Sequence, residues 1–306
     1  MYRTLVILRH TFLESVVQPI YALLLMLGAV VTIIFAMLPY FTFGEDLIMF
    51  KAVSLDVILL VTLLATLFAT SRSIFDEIED RTMLTLMSKP VSKLEVLLGK
   101  YLGIILSSLL AIAALGAVLM LCTYLRLPGD YQMRTGSVDE REIARIAEYR
   151  TMHIAGLLPQ LILMWLQISV LAAIGVALST RFSLVVNMPV VIMLYIAGNL
   201  SRFLFPIFGD DPNSLFAGRS VIVKGFAYVV ASVLPYLETF DLRQLTVYRP
   251  IAIAGEYFAN DPAATPLIVI WKYVAIAALH GTFYAAFALA IGMWMFQNRE
   301  LGGAEG

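Results

Sequence analysis

The stretch SRSIFDEIEDRTMLTLMSKPVSKLEVLLGK, from Ser71 to Lys100, concentrates charges and helix signals between two long apolar runs. Those runs, at about 52–70 and 96–125, are each long enough to cross a bilayer, which takes roughly 20 residues. A charged connection between two such runs stays outside the hydrocarbon, because buried charges there are costly. The stretch therefore predicts a transmembrane hairpin whose polar tip is free to meet a soluble protein.

The tip itself carries start and stop signals for a short helix. Ser73 is followed, three and four residues later, by acids, which resembles a capping box and suits the positive end of a helix dipole. Pro90 ends this helix, because the residue before a proline is disfavoured in the α conformation. Ser92-Lys93-Leu94-Glu95 then forms a second capping box in front of the next apolar run. We expect an amphipathic helix over about 74–89, lying on the membrane surface or in a groove of another protein.

Composition places the rest of the chain in the same class. Of 306 residues, 60% are hydrophobic and 14% charged, which exposes too much apolar surface for a water-soluble protein. The net charge of −1 gives no basic excess for nucleic acid, and the single cysteine, Cys122, excludes an internal disulfide. We therefore predict an all-α polytopic membrane protein with one transmembrane domain over residues 1–306.

Apolar runs of membrane-spanning length recur along the chain. They lie at about 19–38, 52–70, 96–125, 154–180, 184–205 and 266–296. A shorter run at about 221–237, in the outer helical loop between the fifth and sixth spans, predicts a re-entrant or interfacial segment, although counting it as a span would give seven. Residues 1–17 alternate apolar and charged positions at helical spacing and predict an uncleaved interfacial helix.

Charge bias sets the orientation. With six spans and the N-terminus inside, the cytoplasmic pieces hold nine Lys and Arg in 60 residues, whereas the outer loops hold ten in 99. Positive residues favour the cytoplasmic side. We expect a multi-pass protein with both termini in the cytoplasm and with the Ser71 to Lys100 stretch on that side.

The hairpin tip resembles the permease subunits of type 2 ATP-binding-cassette exporters. That family carries, between its second and third spans, E-x-x-x-G-T, an apolar patch, P-x-S and a Gly-Lys pair. The matching residues here are Glu77, Thr82, Leu84, Leu86, Met87, Pro90, Ser92, Gly99 and Lys100. Arg81 stands where the family usually has glycine. Within the family the chain looks most like the branch of copper-enzyme-maturation and gliding-motility permeases.

The resemblance implies that the segment from Ile74 to Lys89 is a coupling helix that docks on a separate cytoplasmic P-loop ATPase. Its implied docking residues are Phe75, Ile78, Glu79, Thr82, Leu86, Met87 and Pro90. It also implies a second permease subunit, identical or paralogous, surrounding membrane lipids, and a prokaryotic cytoplasmic membrane. ATP would be bound by the partner and no cofactor by this chain.

Catalytic motifs are missing from the sequence. The one Gly-Lys pair, Gly99-Lys100, is followed by Tyr101 inside an apolar run, so it is no P-loop. His10, His153 and His280 are far apart, and no HExxH or CxxC occurs. We expect neither a metal site nor an enzyme.

Two patterns in the spans predict helix packing and polar contacts. Small residues follow a four-residue spacing in the third span (Gly99, Gly103, Ser107, Ala111) and in the sixth (Ala278, Thr282, Ala286, Ala290). Such ridges pack closely either within one subunit or at a dimer seam. Gln167 and His280 lie near the middle of their spans and are candidates for a transport pathway or for interhelical hydrogen bonds.

Other functional classes are open at this stage. A mechanotransmission or scaffold protein would use the same coupling helix to drive an outer event without transport. An integral-membrane enzyme would need ionisable residues converging at one interface, and a secondary transporter would show internal repeats, but the sequence displays neither feature. Lipid, peptide, drug, ion and copper-pathway intermediates all suit a mostly apolar route.

Overall fold

The structure, a computed structural model, describes residues 2–38, 46–80, 91–135, 140–200, 234–253 and 264–297. These residues are almost entirely helical, as predicted. The strand structure among them is a two-residue parallel pairing of Ile251–Ala252 with Thr265–Pro266. The all-α expectation is therefore confirmed.

The helices follow the apolar runs. Their bounds are Tyr2–Val17 (α1), Pro19–Met37 (α2), Asp46–Ser71 (α3), Lys93–Thr135 (α4), Glu140–Ser179 (α5), Leu184–Asn199 (α6), Arg243–Thr246 (α7) and Leu267–Gln297 (α8). A short 3-10 turn, Leu237–Phe240, precedes α7. Helix α3 continues through a π-helical segment, Arg72–Asp76, into a last α-helical turn, Glu77–Glu79.

Five of the described helices are long and apolar enough to cross a membrane, namely α2, α3, α4, α5 and α8. Helix α6 has 16 residues, which at 1.5 Å per residue spans about 24 Å, less than the hydrocarbon core of roughly 30 Å. The predicted fifth span, 184–205, therefore contains a shorter helix than expected. Its residues 201–205, and residues 221–233 of the predicted re-entrant run, lie outside the described residues.

Helix α5 is the centre of the bundle. It packs against α3, α4, α6 and α8, while α1 and α2 lie along α4 and α3. Side chains of α5 such as Leu163, Leu171 and Ala173 are completely buried. By contrast, α2 and α8 expose large apolar side chains, as expected for helices that face lipid.

Contacts between helices show which helix ends lie at the hairpin end of the bundle. The hairpin end holds the last turn of α3 and the start of α4. The beginning of α1 also lies there, since Ile7 packs against Gly99, and so does the end of α8, whose Phe296 carbonyl accepts a hydrogen bond from Lys93. The N-terminus of α1 and the C-terminus of α8 therefore lie at the same end of the bundle.

The small-residue ridge of α4 packs inside the subunit. A Cβ added at Gly103 would lie 2.7 Å from the carbonyl oxygen of Leu8 and 2.8 Å from Cβ of Thr11. Further along the ridge, the Tyr21 hydroxyl donates to the carbonyl of Ser107 at 2.8 Å, and Ala111 is fully buried. The sequence left open whether this ridge packs within one subunit or at a dimer seam. In the structure it packs against α1 and α2 of the same chain.

The ridge of α8 lies on the other face of its helix. Thr282, Ala286 and Ala290 are exposed, whereas Gly281 and Ala285 are buried. Gly281 is close to Phe240 and Val170, so the buried face of α8 uses different small residues from those in the predicted ridge.

The first predicted capping box is wrong. Ser73 does not start a new helix, because α3 runs through it without interruption and Ser71, which flanks the π-helical segment, makes no side-chain cap. The physical reason is burial: Ile74 and Ile78 are 1% and 7% exposed and join the core at the hairpin end, which holds this turn in line with α3. Residues 81–90 of the predicted helix lie outside the described residues.

Candidate functional site

The hairpin has two arms, the helical turns 72–79 after α3 and the first turns of α4 from Lys93 to Lys100, which together form its stem. A buried ion pair joins the two arms. Nζ of Lys100, in α4, lies 2.7 Å from Oε1 of Glu77, in the last turn after α3. The same ammonium donates to the carbonyl oxygen of Ser73 and, at 3.2 Å, to its hydroxyl. Lys100 is 2% exposed, so its charge is satisfied almost wholly by these groups. These contacts therefore join the two arms at this level.

The π-helical segment is part of this connection. It spans Arg72–Asp76, between the long helix α3 and the turn that carries Glu77. A π-helical turn widens the helix by one residue, and such insertions occur often at functional sites. Here the widened turn contains Ser73, whose carbonyl and hydroxyl both face Lys100. Two residues of the family motif, Glu77 and Lys100, are thereby explained as partners.

The second predicted capping box is confirmed. The backbone N–H of Ser92 donates to Oε2 of Glu95 at 3.0 Å, and the N–H of Glu95 donates to the Ser92 hydroxyl at 3.2 Å. This reciprocal arrangement satisfies two of the free N–H groups at the start of a helix. Helix α4 therefore begins at Lys93 with a rigid first turn.

The last helix is held at the same end by two cationic side chains. Nζ of Lys93 donates to the carbonyls of Phe296 and Gln297 at 3.1 and 3.3 Å. Arg181, in the turn between α5 and α6, donates from Nε to the carbonyl of Met295 at 3.3 Å. Cations at a helix C-terminus satisfy free carbonyl groups and complement the helix dipole.

The residues predicted to dock on an ATPase have different environments. Glu79 is exposed and Phe75 is half-buried. Ile78 is buried in the chain's own core, so it supports the hairpin from within rather than presenting a surface. Thr82, Leu86, Met87 and Pro90 lie outside the described residues. An exposed acidic turn, ending at Glu79 and Asp80, is what the described chain offers at this point.

The two mid-span polar residues have separate surroundings. Gln167 is 5% exposed, and its amide donates to Oδ1 of Asn199 in α6 at 3.4 Å. His280 is exposed on α8, with its ring 6.1 Å from that of Phe240. Gln167 thus makes an interhelical hydrogen bond, whereas His280 lies at the surface of the described bundle.

The far end of the bundle holds an irregular segment among the helices. Phe240 reaches Gly281, which is near the middle of α8. Gln160 of α5 accepts from the N–H of Leu242 at 2.9 Å and donates to the carbonyl of Phe240 at 3.5 Å. Irregular backbone at membrane depth is tolerated only where protein groups satisfy it, and Gln160 supplies that here.

Further side chains secure this segment. Tyr273 of α8 donates to the carbonyl of Thr239 at 2.9 Å, and Lys51 of α3 donates to the carbonyl of Val247 at 2.9 Å. Lys51 is completely buried and its Nζ lies 2.9 Å from Nδ1 of His153. Gln160, Lys51 and Tyr273 escaped the sequence analysis. A polar side chain inside or beside an apolar run was the available signal for all three.

Arg243 ties α7 to α3 at the surface. Its guanidinium pairs with the carboxylate of Asp56, which is 61% exposed. Burial lowers the pKa of Arg243, but the hydrogen bond and charge of Asp56 outweigh it, so that the net shift of the pKa is upward. Arg243 is therefore a permanent cation at this end of the bundle.

An apolar groove of about 520 Å³ opens between α4, α5 and α8. Its walls include Leu106, Leu109, Trp165, Ala286 and Leu289. The polar groups beside it are occupied within the chain, since the Trp165 indole donates to the carbonyl of Ile105 at 3.2 Å. Within the described ranges, no group of three or more His, Cys, Asp or Glu side chains could hold a metal ion.

Comparison with known families accounts for this architecture. Residues 11–301 match the family model described as ABC-2 family transporter protein. A comparison with curated proteins gives no match. The match covers nearly the whole chain, including the hairpin stem and the last helix, and the described helices include five of membrane-spanning length. The chain is therefore an integral, multi-pass membrane protein that belongs to the ABC-2 family of transporter permeases, the membrane subunits that work with a cytoplasmic ATPase.

Proposed function

We propose that this permease is the transmembrane subunit of an ATP-driven exporter, whose single domain covers residues 1–306. The observation that carries the proposal is the buried Lys100–Glu77 pair, which fixes the stem of the hairpin so that a load on its tip is passed to both α3 and α4. A tip on a rigid stem suits mechanical coupling, whereas an unsupported surface helix would absorb the movement.

The proposed docking surface is the hairpin tip, about residues 74–90. Its described part offers the exposed acid Glu79 and the half-buried ring of Phe75. Thr82, Leu86, Met87 and Pro90 complete it through their resemblance to the family motif, and Ile78 supports it from the core. The ATPase binds ATP, and this chain needs no cofactor and contributes no catalytic residue.

Six spans fit the positions of the helix ends. Helix α6 starts just after α5 ends, at the hairpin end, whereas α8 starts at the far end, where Tyr273 binds the Thr239 carbonyl. We therefore count the predicted span 184–205, which contains α6, as one of the six crossings of the membrane. With the hairpin in the cytoplasm, both termini are cytoplasmic in a prokaryotic inner membrane, and residues 234–253 belong to the outer side.

The transport cycle follows from differential affinity. The ATPase in its ATP-bound and ATP-free forms must prefer two different arrangements of the helices, since a ligand shifts an equilibrium only by such a difference. Two permease subunits, identical or paralogous, would close around the route, and the branch most similar by motif is that of copper-enzyme-maturation and gliding-motility permeases. His280, at the exposed surface, and Gln167 are the polar groups we assign to the route or its packing.

Mechanotransmission without transport is a second candidate. The observation that favours it is the tight seating of the outer segment, which Gln160, Tyr273 and Lys51 bind from three helices. Movement of the helices would therefore be passed to an outer partner. In this case ATP hydrolysis would respond to that partner, and no substrate would cross.

Co-purification with the cognate ATPase tests the proposal. The tagged full-length chain is co-expressed with that ATPase, extracted in detergent and captured. We expect the wild type to retain the ATPase and Glu79→Lys to lose most of it, because the substitution reverses a charge on the docking surface. The control is Glu148→Lys, a charge reversal at the far end. Equal retention by Glu79→Lys and wild type would contradict the docking site.

A further inference from the structure

Lys93 joins the hairpin to the last helix of the bundle. It is the first residue of α4, directly after the hairpin tip, and its ammonium donates to the last carbonyls of α8, those of Phe296 and Gln297. The ammonium also lies 5.2 Å from the centre of the Phe296 ring. One side chain thus makes two hydrogen bonds and a cation–π contact with the end of α8.

Apolar packing also connects the end of α8 to the hairpin. Phe296 is 1% exposed and belongs to the cluster that also contains Ile74 and Ile78 from the first arm of the hairpin, and Val96 and Leu97 from the second. The end of α8 therefore shares one apolar core with both arms of the hairpin. A close-packed core transmits displacement because its side chains have little free volume.

The backbone at Lys93 is fixed within the first turn of α4. The capping box of Ser92 and Glu95 surrounds it and fixes the backbone on both sides. Any movement of the tip that tilts the first turn of α4 must therefore displace the Lys93 ammonium. Arg181 holds the same helix end, but it comes from the turn between α5 and α6 and has no place in the hairpin.

We infer that Lys93 is a positioning residue that passes movement of the hairpin to α8. This inference rests on the proposed function, since the movement originates in the ATPase. It goes beyond that function by naming the helix that receives the movement and the contact that delivers it. Lys100 and Glu77 couple the tip to α3 and α4, whereas Lys93 extends the coupling to α8.

The test measures the displacement of α8 in the complex of the full-length chain with its ATPase. Spin labels are placed at two exposed positions, Met26 of α2 and Trp294 of α8, in a Cys122→Ser background. Electron–electron distances are recorded without nucleotide and with a non-hydrolysable ATP analogue. A second pair, at Met26 and Leu60, reports whether α2 and α3 keep their packing. The variants are Lys93→Met, Lys93→Arg and, as a matched control, Arg181→Met.

We expect nucleotide to shift the α2–α8 distance in the wild type. Lys93→Met should reduce this shift by at least about half, because the coupling energy of the contact is lost. The ATPase should still co-purify with Lys93→Met, and the reference distance should be unchanged. Lys93→Arg should retain the shift, since its guanidinium can still donate to the carbonyls, and so should Arg181→Met.

Each contrary result has a distinct meaning. The role of Lys93 would be overturned by a full shift in Lys93→Met or by no shift in the wild type. An equal loss of the shift in Arg181→Met would also overturn it, because the contact would then only support the helix end in general. Failure of the wild-type chain to bind the ATPase would instead contradict the proposed function.

Discussion

Lys100 and Glu77 lie 23 positions apart in the chain, and their side chains meet at 2.7 Å across the stem of the hairpin. The pair is asymmetric, because Lys100 is almost completely buried while the Glu77 side chain is 24% exposed. Removing the carboxylate therefore strands a buried cation, whereas removing the cation leaves an anion that water can reach. This asymmetry makes the contributions of the two residues separable.

We predict that Glu77→Gln destabilises the chain more than Lys100→Met does. The loss for Glu77→Gln should be about 2–3 kcal/mol, below the usual cost of breaking a fully buried pair because Ser73 still accepts from Lys100. Thermal unfolding of the purified chain in detergent provides the measurement. The double variant should lose less than the sum of the two single losses. Equal single losses that add would mean that the two residues do not form a pair.

The ridge of α4 predicts a steric effect at Gly103. Gly103→Ala should lower stability by about 1–3 kcal/mol, since its Cβ would meet the backbone of α1 at Leu8, which cannot move alone. Gly116→Ala is the matched control, because its Cβ would meet only the end of the Leu161 side chain, which can turn away. Unfolding temperatures of both variants are compared with the wild type. A Gly116→Ala loss as large as that of Gly103→Ala would argue against close packing of α1.

Gln160 offers a test of how the outer segment is held. Gln160→Leu leaves the N–H of Leu242 and the carbonyl of Phe240 without this partner, at a cost of about 1–3 kcal/mol. Faster hydrogen exchange over residues 237–247 should follow. Gln167→Leu serves as the control, since it removes a bond to α6 worth about 0.6 kcal/mol and should leave that exchange unchanged. Unaltered protection in Gln160→Leu would show that packing alone holds the segment.

Neither mid-span polar residue should affect docking. Gln167 and His280 lie away from the hairpin tip, so Gln167→Leu and His280→Ala should co-purify with the ATPase at wild-type levels. The pull-down described for Glu79→Lys supplies the assay and the positive control for lost binding. Reduced retention in either variant would contradict a role confined to the route or to helix packing.

Sidedness can be measured directly at the hairpin tip. In a Cys122→Ser background, Glu79→Cys should react with a membrane-impermeant thiol reagent only after the cytoplasmic face is opened. Ile143→Cys, an exposed position at the start of α5, should react in intact cells. Labelling of Glu79→Cys from outside would place the tip beyond the reach of any cytoplasmic ATPase.

Local patterns in the sequence predicted the helices and one of the two capping boxes. The Ser92 and Glu95 box is confirmed because its donors and acceptors are three residues apart and need no distant partner. The Ser73 box is wrong because burial of Ile74 and Ile78 outweighed the same local signal. The family could also be identified from the sequence, because the motif residues occur in order. Residues 11–301 match the family model.

By itself, the sequence determined that this protein is a helical membrane protein, because hydrophobic run length and capping residues are properties of neighbouring positions, and its hairpin motif resembled that of the permease family. Only the tertiary structure decided that Lys100 pairs with Glu77, that Lys93 reaches the end of α8 and that Gln160 binds the outer segment. The physical reason is distance along the chain. Hydropathy shows that a residue belongs in the membrane, but its partner is set by the packing of helices that are distant in sequence, as with Lys93 and Phe296, which are 203 positions apart.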